Sequence, residues 1–290
     1  MKLYTYHDVN LRGTIEKVTY TTTNKDGELR DKYALVYLPL GYDAADKTKK
    51  YNILYLMHGG GGNPDAWLDC CKIKNMLDHT IYTKEIDPLI VVFPTFYKEK
   101  VARIGQPDRD LEKFNTKFFQ KELAAELIPA IEGRYNTFAQ DITAEGLKES
   151  RKHRAFGGFS MGGCTTWFAL MENLDVIGNF LPLSGDCWEV EPLGGGSRTE
   201  ETAQVICDAI VRTGYSQKDY KVYAATGTED LANTALTPLI EELKKHAEVF
   251  TFSEDFSLGN LHFFVAQGQR HEYEAVFQYV YNYLPYLFKD

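Results

Sequence analysis

Two kinds of hydrophobic pattern alternate along the chain. Runs of apolar, β-branched and aromatic residues are typical of strands, and apolar residues spaced three or four positions apart are typical of helices. The strand pattern occurs in eight segments: 13–23, 32–42, 51–62, 88–95, 155–160, 180–185, 221–227 and 261–268. Strands that alternate with helices predict an α/β fold whose sheet is mostly parallel and covered by helices on both faces.

The first two strand segments differ from the others because only a short turn-forming stretch separates them. Segments 13–23 and 32–42 flank the sequence NKDGELRD, which predicts an antiparallel hairpin at the start of the chain. Helical spacing is clearest in segments 236–243 and 273–284. These patterns place a hairpin beside an otherwise parallel sheet.

One helical segment contains a proline, and no segment has the composition of a linker. Pro129 lies inside the helical pattern of residues 115–132 and predicts a kink or a break. Because no linker or internal repeat divides the chain, we expect a single domain over residues 1–290. The glycine-rich stretch around 187–205 is predicted to form a lid-like insertion.

Composition and charge narrow the class of protein. With 44% hydrophobic and 25% charged residues, the 290-residue chain has the composition of a globular protein. A net charge of −9 argues against a nucleic-acid partner. The longest apolar runs are too short for a membrane span, so no membrane partner is expected. The oligomeric state is not indicated by the sequence.

The five cysteines and the N-terminal segment bear on localisation. Their number is odd and no C-x-x-C pair occurs, which indicates reduced thiols rather than a disulfide framework or a zinc site. The segment MKLYTYHDVN lacks the apolar region of a signal peptide. These features predict a cytoplasmic protein, whereas a signal peptide removed beforehand would make it a secreted one.

The first candidate for chemistry is a serine between glycines. Residues 158–162, Gly-Phe-Ser-Met-Gly, fit G-x-S-x-G between a predicted strand and a predicted helix. In such a turn the serine adopts a strained conformation that exposes its hydroxyl above the sheet. The alternative is a glycine-rich turn with an ordinary serine. The flanking strand and helix favour Ser160 as a nucleophile.

A serine hydroxyl needs a base to remove its proton, and the chain order of this motif identifies one. In α/β-hydrolases the acid and the histidine follow the serine. Only His246, His262 and His271 come after Ser160. The first lies in an amphipathic helix and the second in a strand. His271 follows the last strand, where ligands collect in α/β sheets, and is the predicted base.

The acid is expected after the preceding strand. Glu229 and Asp230 both follow segment 221–227, and either could be a solvated loop acid, with Asp230 capping the next helix. We predict that Asp230 orients His271, with Glu229 as the alternative. Asp255 is a weaker candidate because it falls in a polar connection.

A developing oxyanion needs two N–H donors. One is predicted to be the backbone N–H of Met161, directly after the nucleophile. The other is expected from the HGGGGN run at residues 58–63, where we choose Gly60 ahead of Gly59 and Gly61. A phosphate cradle is a poor alternative because no G-K-[ST] follows the glycines.

Several motifs together resemble one family. VYLPLGYD, YLMHGGGGNPDAW, HRAFGGFSMGG, LSGDCW and GQRHEYEAV occur in family order from about residue 30 to the C-terminus. They are similar to those of carbohydrate esterase family 1, the α/β-hydrolase group that includes feruloyl esterases, acetyl xylan esterases and enterochelin-esterase-like proteins. The resemblance implies a serine esterase without metal or cofactor. It assigns Ser160 as nucleophile, Asp230 as acid and His271 as base.

The predicted substrate is a hydroxycinnamoyl ester of plant cell-wall sugars. Trp67, Phe96, Tyr97 and Trp188 follow predicted strands and could form aromatic walls for a flat acyl group, although Trp67 could equally be a core residue. The alternatives are an acetyl xylan or short-chain esterase, or an S-formylglutathione hydrolase. A catalytically inactive ligand-binding fold is disfavoured by the intact serine, acid and histidine.

Overall fold

One sheet runs through the centre of the molecule. The computed structural model describes residues 1–96 and 108–289. In chain order the strands are β1 (Thr14–Thr23), β2 (Leu29–Leu38), β3 (Asn52–Met57), β4 (Leu89–Phe93), β5 (Arg154–Phe159), β6 (Asn179–Leu183), β7 (Lys221–Glu229) and β8 (Leu261–Arg270). Their spatial order is β1-β2-β4-β3-β5-β6-β7-β8.

Strand direction divides the sheet into two parts. β1 pairs antiparallel with β2, and β2 pairs antiparallel with β4. The pairs from β4 through β3, β5, β6 and β7 to β8 are all parallel. The predicted hairpin and the mostly parallel sheet are therefore confirmed.

Helices cover both faces of the sheet. They are α1 (Ala66–Asp69), α2 (Ile73–Tyr82), α3 (Arg109–Glu122), α4 (Ile128–Glu132), α5 (Ala144–Glu149), α6 (Met161–Glu172), α7 (Gly194–Ser197), α8 (Thr199–Thr213), α9 (Asn233–Leu243) and α10 (Tyr273–Tyr283). In β3, Ile53 and Tyr55 pack in the cluster that contains α6, whereas Leu54 and Leu56 pack in the cluster that contains α10. Burial on both faces explains why the central strands are continuously apolar.

The helical stretch before β5 accommodates its proline without a break. α3 leads into α4 through a π-helical turn at Leu123–Leu127, and Pro129 is the second residue of α4. Proline has no N–H and clashes with the carbonyl four residues earlier, so the wider turn directly before it relieves the misfit. The irregularity expected at Pro129 therefore falls on the residues that precede it.

A buried ion pair anchors the start of β5, the strand that leads to Ser160. Arg154 Nη2 donates to Glu132 Oε2 over 2.8 Å, and a second contact joins Arg154 Nε to Glu132 Oε1. Both side chains are 1% exposed. Thr137 Oγ1 also donates to the Glu132 carboxylate, over 2.9 Å. Because both charges are buried away from water, removing either one would leave the other without a counter-charge, at a large cost in stability.

None of the helices within 1–96 and 108–289 combines the length and the apolar composition that crossing a bilayer requires. Their apolar residues are used in the two clusters described above.

The ion pair gives a test of how the β5 end of the sheet is held. Glu132→Ala leaves the buried Arg154 guanidinium without a counter-charge, and we expect it to lower the free energy of unfolding by about 3–5 kcal/mol. Urea denaturation measures the change. Glu248→Ala, at a side chain 64% exposed, is the control and should cost less than about 0.5 kcal/mol. Equal losses in the two variants would contradict a stabilising role for the pair.

Candidate active site

A tight turn joins β5 to α6 and carries Ser160. The serine has φ 56° and ψ −116°, a conformation that non-glycine residues rarely adopt. Its N–H donates to Leu183 O over 3.0 Å, which fixes the turn against β6. A Cβ atom on Gly162 would lie 2.7 Å from Met57 O, and one on Gly158 would lie 2.7 Å from the Gly162 carbonyl carbon. The two glycines are therefore required for the backbone to close around the serine.

Hydrogen bonds connect Ser160 to His271 and His271 to Asp230. The three residues lie at the carboxyl ends of β5, β8 and β7, respectively. His271 Nε2 is 2.8 Å from Ser160 Oγ, and His271 Nδ1 is 2.7 Å from Asp230 Oδ1. A carboxylate can only accept, so Nδ1 carries the proton and Nε2 is free to accept from the serine hydroxyl. This is the geometry in which a serine can be deprotonated by a histidine that an acid orients.

Asp230 is held by more than the histidine. Its side chain is fully buried, and Oδ1 also accepts from Ala232 N–H over 2.7 Å. Burial alone would raise the pKa of Asp230, but the hydrogen bond from His271, the nearby Ser184 hydroxyl and the Ala232 N–H hold the pKa below its ordinary value. The carboxylate is therefore ionised at neutral pH and can stabilise a charged imidazole.

The other two acidic candidates point elsewhere. Glu229 pairs with Arg270 over 3.0 Å, and both side chains are more than half exposed. Asp255 accepts from Ser257 Oγ over 2.6 Å within its own exposed turn. Of the three acids, the structure brings only Asp230 to His271.

The glycine loop after β3 lies beside the first turn of α6. A Cβ atom on Gly60 would be 3.9 Å from Met161 Cβ, so the two predicted N–H donors are neighbours. Gly59 N–H is engaged with Tyr273 Oη over 3.1 Å, which argues against the alternative donor Gly59. Met161 is the first residue of α6, where N–H groups are free and the helix dipole favours negative charge. The donor pair Met161 and Gly60 stays a prediction.

His58 is bonded to the glycine loop and to the chain after β4. Its Nε2 is 2.7 Å from Thr95 Oγ1, and its Nδ1 is 2.7 Å from Gly59 O. The ring is buried and packs edge to face on Phe96, with 5.3 Å between the centroids. These contacts hold the glycine loop against the residues that follow β4.

A cleft of about 410 Å³ opens over the serine. It is lined by Gly59, Gly60, Gly61, Gly62, Asn63, Ala66, Asp69, Cys70, Phe159, Ser160, His271 and Tyr273. Its size is typical of a site for a small organic group. Among the side chains of residues 1–96 and 108–289, no three His, Cys, Asp or Glu groups are placed to hold a metal ion.

Two aromatic residues of the cleft were not identified from the sequence. Phe159 packs on His271 with 4.7 Å between ring centroids, and on Tyr273 with 4.9 Å. Phe159 is the variable position inside G-x-S-x-G, and Tyr273 follows His271 by two residues. Proximity to the two motif residues was the only signal that could have indicated them.

The structure corrects two of the predicted substrate residues, Trp67 and Phe96. Trp67 is fully buried in α1, and its Nε1 donates to Met57 O over 3.1 Å. Phe96 is 6% exposed and packs on Phe119 with 5.9 Å between ring centroids. Each is part of a hydrophobic cluster, Phe96 in the cluster that contains α6 and Trp67 in the cluster that contains α10.

Trp188 is also corrected, and Tyr97 lies outside the described residues. Trp188 is 4% exposed, its Nε1 donates to Asp186 Oδ1 over 2.8 Å, and the Arg109 guanidinium covers its ring at 5.4 Å. Within residues 1–96 and 108–289, the partners Asp186 and Arg109 are not among the residues that line the cleft over Ser160. The indole is therefore a packing element of the loop after β6.

The segment around 187–205, predicted to be lid-like, is tied down near its start. Asp186 accepts from Gly195 N–H over 2.9 Å as well as from Trp188, and burial raises the pKa of this carboxyl to about 6. A Cβ atom on Gly195 would lie 2.6 Å from Ala235 O, so α7 packs closely on α9. The lid-like role stays a prediction.

Comparisons with known proteins agree on one family. The family model named Esterase matches residues 30–280. Endo-1,4-beta-xylanase Y of Acetivibrio thermocellus is 41% identical over 279 residues, which are 96% of this chain and 23% of that protein. An endo-1,4-beta-xylanase/feruloyl esterase of Xylanibacter ruminicola is 32% identical over 195 residues, covering 66% of this chain and 24% of that protein. The chain thus spans about a quarter of the length of these curated relatives.

A solved structure is similar over almost the whole chain. It is a mutant of the feruloyl esterase module from Clostridium thermocellum, complexed with sinapinate. The two are 39% identical, the alignment covers 99% of this chain and 94% of that one, and the TM-score is 0.82. This similarity confirms the predicted fold.

The neighbouring acids Asp230 and Glu229 provide a matched pair of variants. Asp230→Asn replaces the acceptor-only carboxylate by an amide, whose NH₂ can donate to Nδ1 and favour the wrong His271 tautomer, and we expect kcat for an activated ester to fall roughly 10⁴-fold. Glu229→Gln changes an exposed residue bound to Arg270 and should stay within about two-fold of wild type. Steady-state kinetics on both variants measure the difference. The opposite ranking would move the acid to Glu229.

Burial of Trp188 predicts a loss of stability rather than of selectivity. Trp188→Ala should lower the free energy of unfolding by about 3–5 kcal/mol, because it leaves a cavity and removes the bond to Asp186. Val211→Ala, at a position 61% exposed, is the control and should cost less than about 1 kcal/mol. The kcat/KM values for feruloyl and acetyl esters should fall by the same factor. A loss confined to the feruloyl ester would instead return Trp188 to the substrate wall.

Proposed function

Because this chain belongs to the esterase family and is a carboxylic ester hydrolase, we propose that it hydrolyses feruloyl and related hydroxycinnamoyl esters of plant cell-wall polysaccharides. The single observation that carries the proposal is the Ser160–His271–Asp230 arrangement beneath a small cleft. The 39% identity to a feruloyl esterase module over nearly its full length supports the choice of acyl group. Two relatives with xylanase names support the choice of polysaccharide.

In the proposed first half-reaction, Ser160 Oγ attacks the ester carbonyl carbon while His271 Nε2 accepts the hydroxyl proton. The carbonyl oxygen becomes an oxyanion, which the N–H groups of Met161 and Gly60 stabilise. His271 then gives its proton to the departing sugar oxygen. The C–O bond to the sugar breaks, and the acyl group remains on Ser160 as an ester.

In the second half-reaction, His271 accepts a proton from water, which attacks the acyl carbon. The tetrahedral intermediate uses the same two N–H donors. It collapses when the bond to Ser160 Oγ breaks and His271 returns the proton to the serine. The product is the free carboxylic acid, and no redox change or external group is involved.

The surroundings of His271 support this cycle. Its side chain is 20% exposed, so it contacts the cleft on one side and protein on the other. Phe159 packs against the imidazole face, while Asp230 fixes its Nδ1 edge. These contacts restrain the ring so that Nε2 stays aligned with the serine through both half-reactions.

The wall of the cleft offers a modest aromatic surface for the acyl group. Of the residues that the structure describes, Phe159 and Tyr273 line it with phenyl and phenol rings, and neither predicted tryptophan does. A planar hydroxycinnamoyl group can pack against such rings. The cytoplasmic location predicted from the N-terminal segment and the thiols stays a prediction, and the xylanase relatives favour a location with access to plant polysaccharide.

Two esters with the same leaving group test the acyl preference. We expect kcat/KM for 4-nitrophenyl ferulate to exceed that for 4-nitrophenyl acetate by at least about ten-fold, because the larger acyl group buries more apolar surface in the cleft. A preference for acetate would favour a short-chain esterase. Turnover of S-formylglutathione above both would favour a thioesterase.

Ser160→Ala tests the mechanism itself. The variant should retain its fold and lose roughly 10⁴-fold or more in kcat, since the residues of such a set act as a unit. A fluorophosphonate probe should label Ser160 in the wild type and nothing in the variant. Ser257→Ala, in an exposed loop, is the control and should keep wild-type activity. Retention of more than a few per cent of activity in Ser160→Ala would overturn the assignment.

A further inference from the structure

Two buried polar atoms beside the site lack a hydrogen bond that meets ordinary geometry. They are Ser184 Oγ and Asp230 Oδ2. Ser184 is 1% exposed and Asp230 is 4% exposed, so water does not compensate for either atom at the surface. A buried carboxylate oxygen without a donor is costly, because the charge is shared by both oxygens. One of these atoms is a donor and the other is an acceptor.

The topology places the two residues together. Ser184 directly follows β6, and Asp230 directly follows β7, which is the parallel neighbour of β6. Ser184 N–H donates to Ala225 O over 2.9 Å, so its backbone is attached to β7. Residues that follow adjacent parallel strands meet at one edge of the sheet. The Ser184 hydroxyl is one of the groups that lower the pKa of Asp230, which agrees with this proximity.

The backbone of Ser184 is also unusual. Its φ is 50°, in the left-handed region that favours glycine, and the chain continues directly to Gly185. A glycine would fit this conformation with less strain but would carry no hydroxyl. A strained serine at a buried position next to an acid therefore suggests that the hydroxyl itself is needed.

We propose that Ser184 is a positioning residue, whose hydroxyl donates to Oδ2 of Asp230 while Oδ1 accepts from His271 and Ala232. A small rotation of the hydroxyl and the carboxylate completes the contact. Asp230 is then held through both oxygens and presents Oδ1 to the imidazole in one orientation. This role rests on the proposed function, because it acts through Asp230 on the base.

Other ionisable groups near Asp230 could also affect the pH profile, and their effects must be distinguished from that of Ser184. His271 follows β8 and contacts Oδ1 directly. Tyr279 lies on α10 with its buried Oη without a hydrogen bond, and burial and then the Asp230 charge raise its pKa. Glu272, at the start of α10, adds to that effect on Tyr279. Tyr279 is therefore the competing donor.

Two substitutions of Ser184 separate the hydroxyl from the backbone. Ser184→Ala removes the hydroxyl and keeps the strain, whereas Ser184→Gly removes the hydroxyl and relieves the strain. We expect both to lower kcat for 4-nitrophenyl acetate about ten-fold with KM unchanged, which is typical of losing one hydrogen bond to a charged group. The substrate is a generic ester, so the result does not depend on the feruloyl preference.

The pH dependence of kcat/KM distinguishes positioning of the acid from a purely structural role, which would leave it unchanged. Without the Ser184 donor the Asp230 carboxylate is more basic and stabilises the protonated imidazole more strongly. The acidic limb of kcat/KM should therefore shift to higher pH in both variants. Thr226→Val is the matched control, because Thr226 Oγ1 is also buried without a hydrogen-bond partner, within β7 and four residues before Asp230. Its profile should be that of the wild type.

A double-mutant cycle completes the test. In an Asp230→Asn background, Ser184→Ala should change kcat by less than about two-fold, since its effect passes through the carboxylate. Wild-type kcat and pH profile in Ser184→Gly would overturn the proposal while leaving the esterase function intact. So would a shift of the acidic limb in Tyr279→Phe but not in the Ser184 variants. Absence of ester hydrolysis in the wild type would instead refute the proposed function.

Discussion

The arrangement around Ser160 depends on close backbone contact where β5 turns into α6. Gly157, Gly158, Gly162 and Gly163 each face an atom that a Cβ would approach within 2.8 Å. The neighbours belong to β3, to the turn itself and to β6, so the turn is enclosed on two sides by other strands. Such crowding leaves the serine little freedom and points its hydroxyl to the open edge of the sheet.

The same edge brings together the parts of the site that lie far apart in the sequence. β3 leads to the glycine loop, β5 to Ser160, β7 to Asp230 and β8 to His271. Because all four strands run in the same direction in the parallel part of the sheet, their carboxyl ends lie along the same edge. The strand order alone therefore brings the glycine loop, the serine, the acid and the histidine to one edge of the sheet.

This topology also explains what could be predicted from the sequence. All eight strands were predicted because their apolar runs are strong signals. Ser160, His271 and Asp230 could be predicted because motif and chain order restrict the candidates, and the structure brings the three residues together. The aromatic residues Trp67, Phe96 and Trp188 were misplaced because a position after a strand does not specify which way a ring points. Their indole N–H groups and ring edges found buried partners, which only the packed structure reveals.

The pairing of β3 with β5 has a consequence for how the molecule is made. Ile53 pairs with Arg154, so about a hundred residues of chain must be closed into a loop before these two strands meet. Contacts of such sequence separation form slowly, and they are unavailable to a growing chain until β5 has emerged. The glycine loop and Ser160 can therefore face each other only late in folding. Until then the apolar surface of β3 lacks its β5 neighbour, which makes prompt completion of the central sheet the step that guards this protein against aggregation.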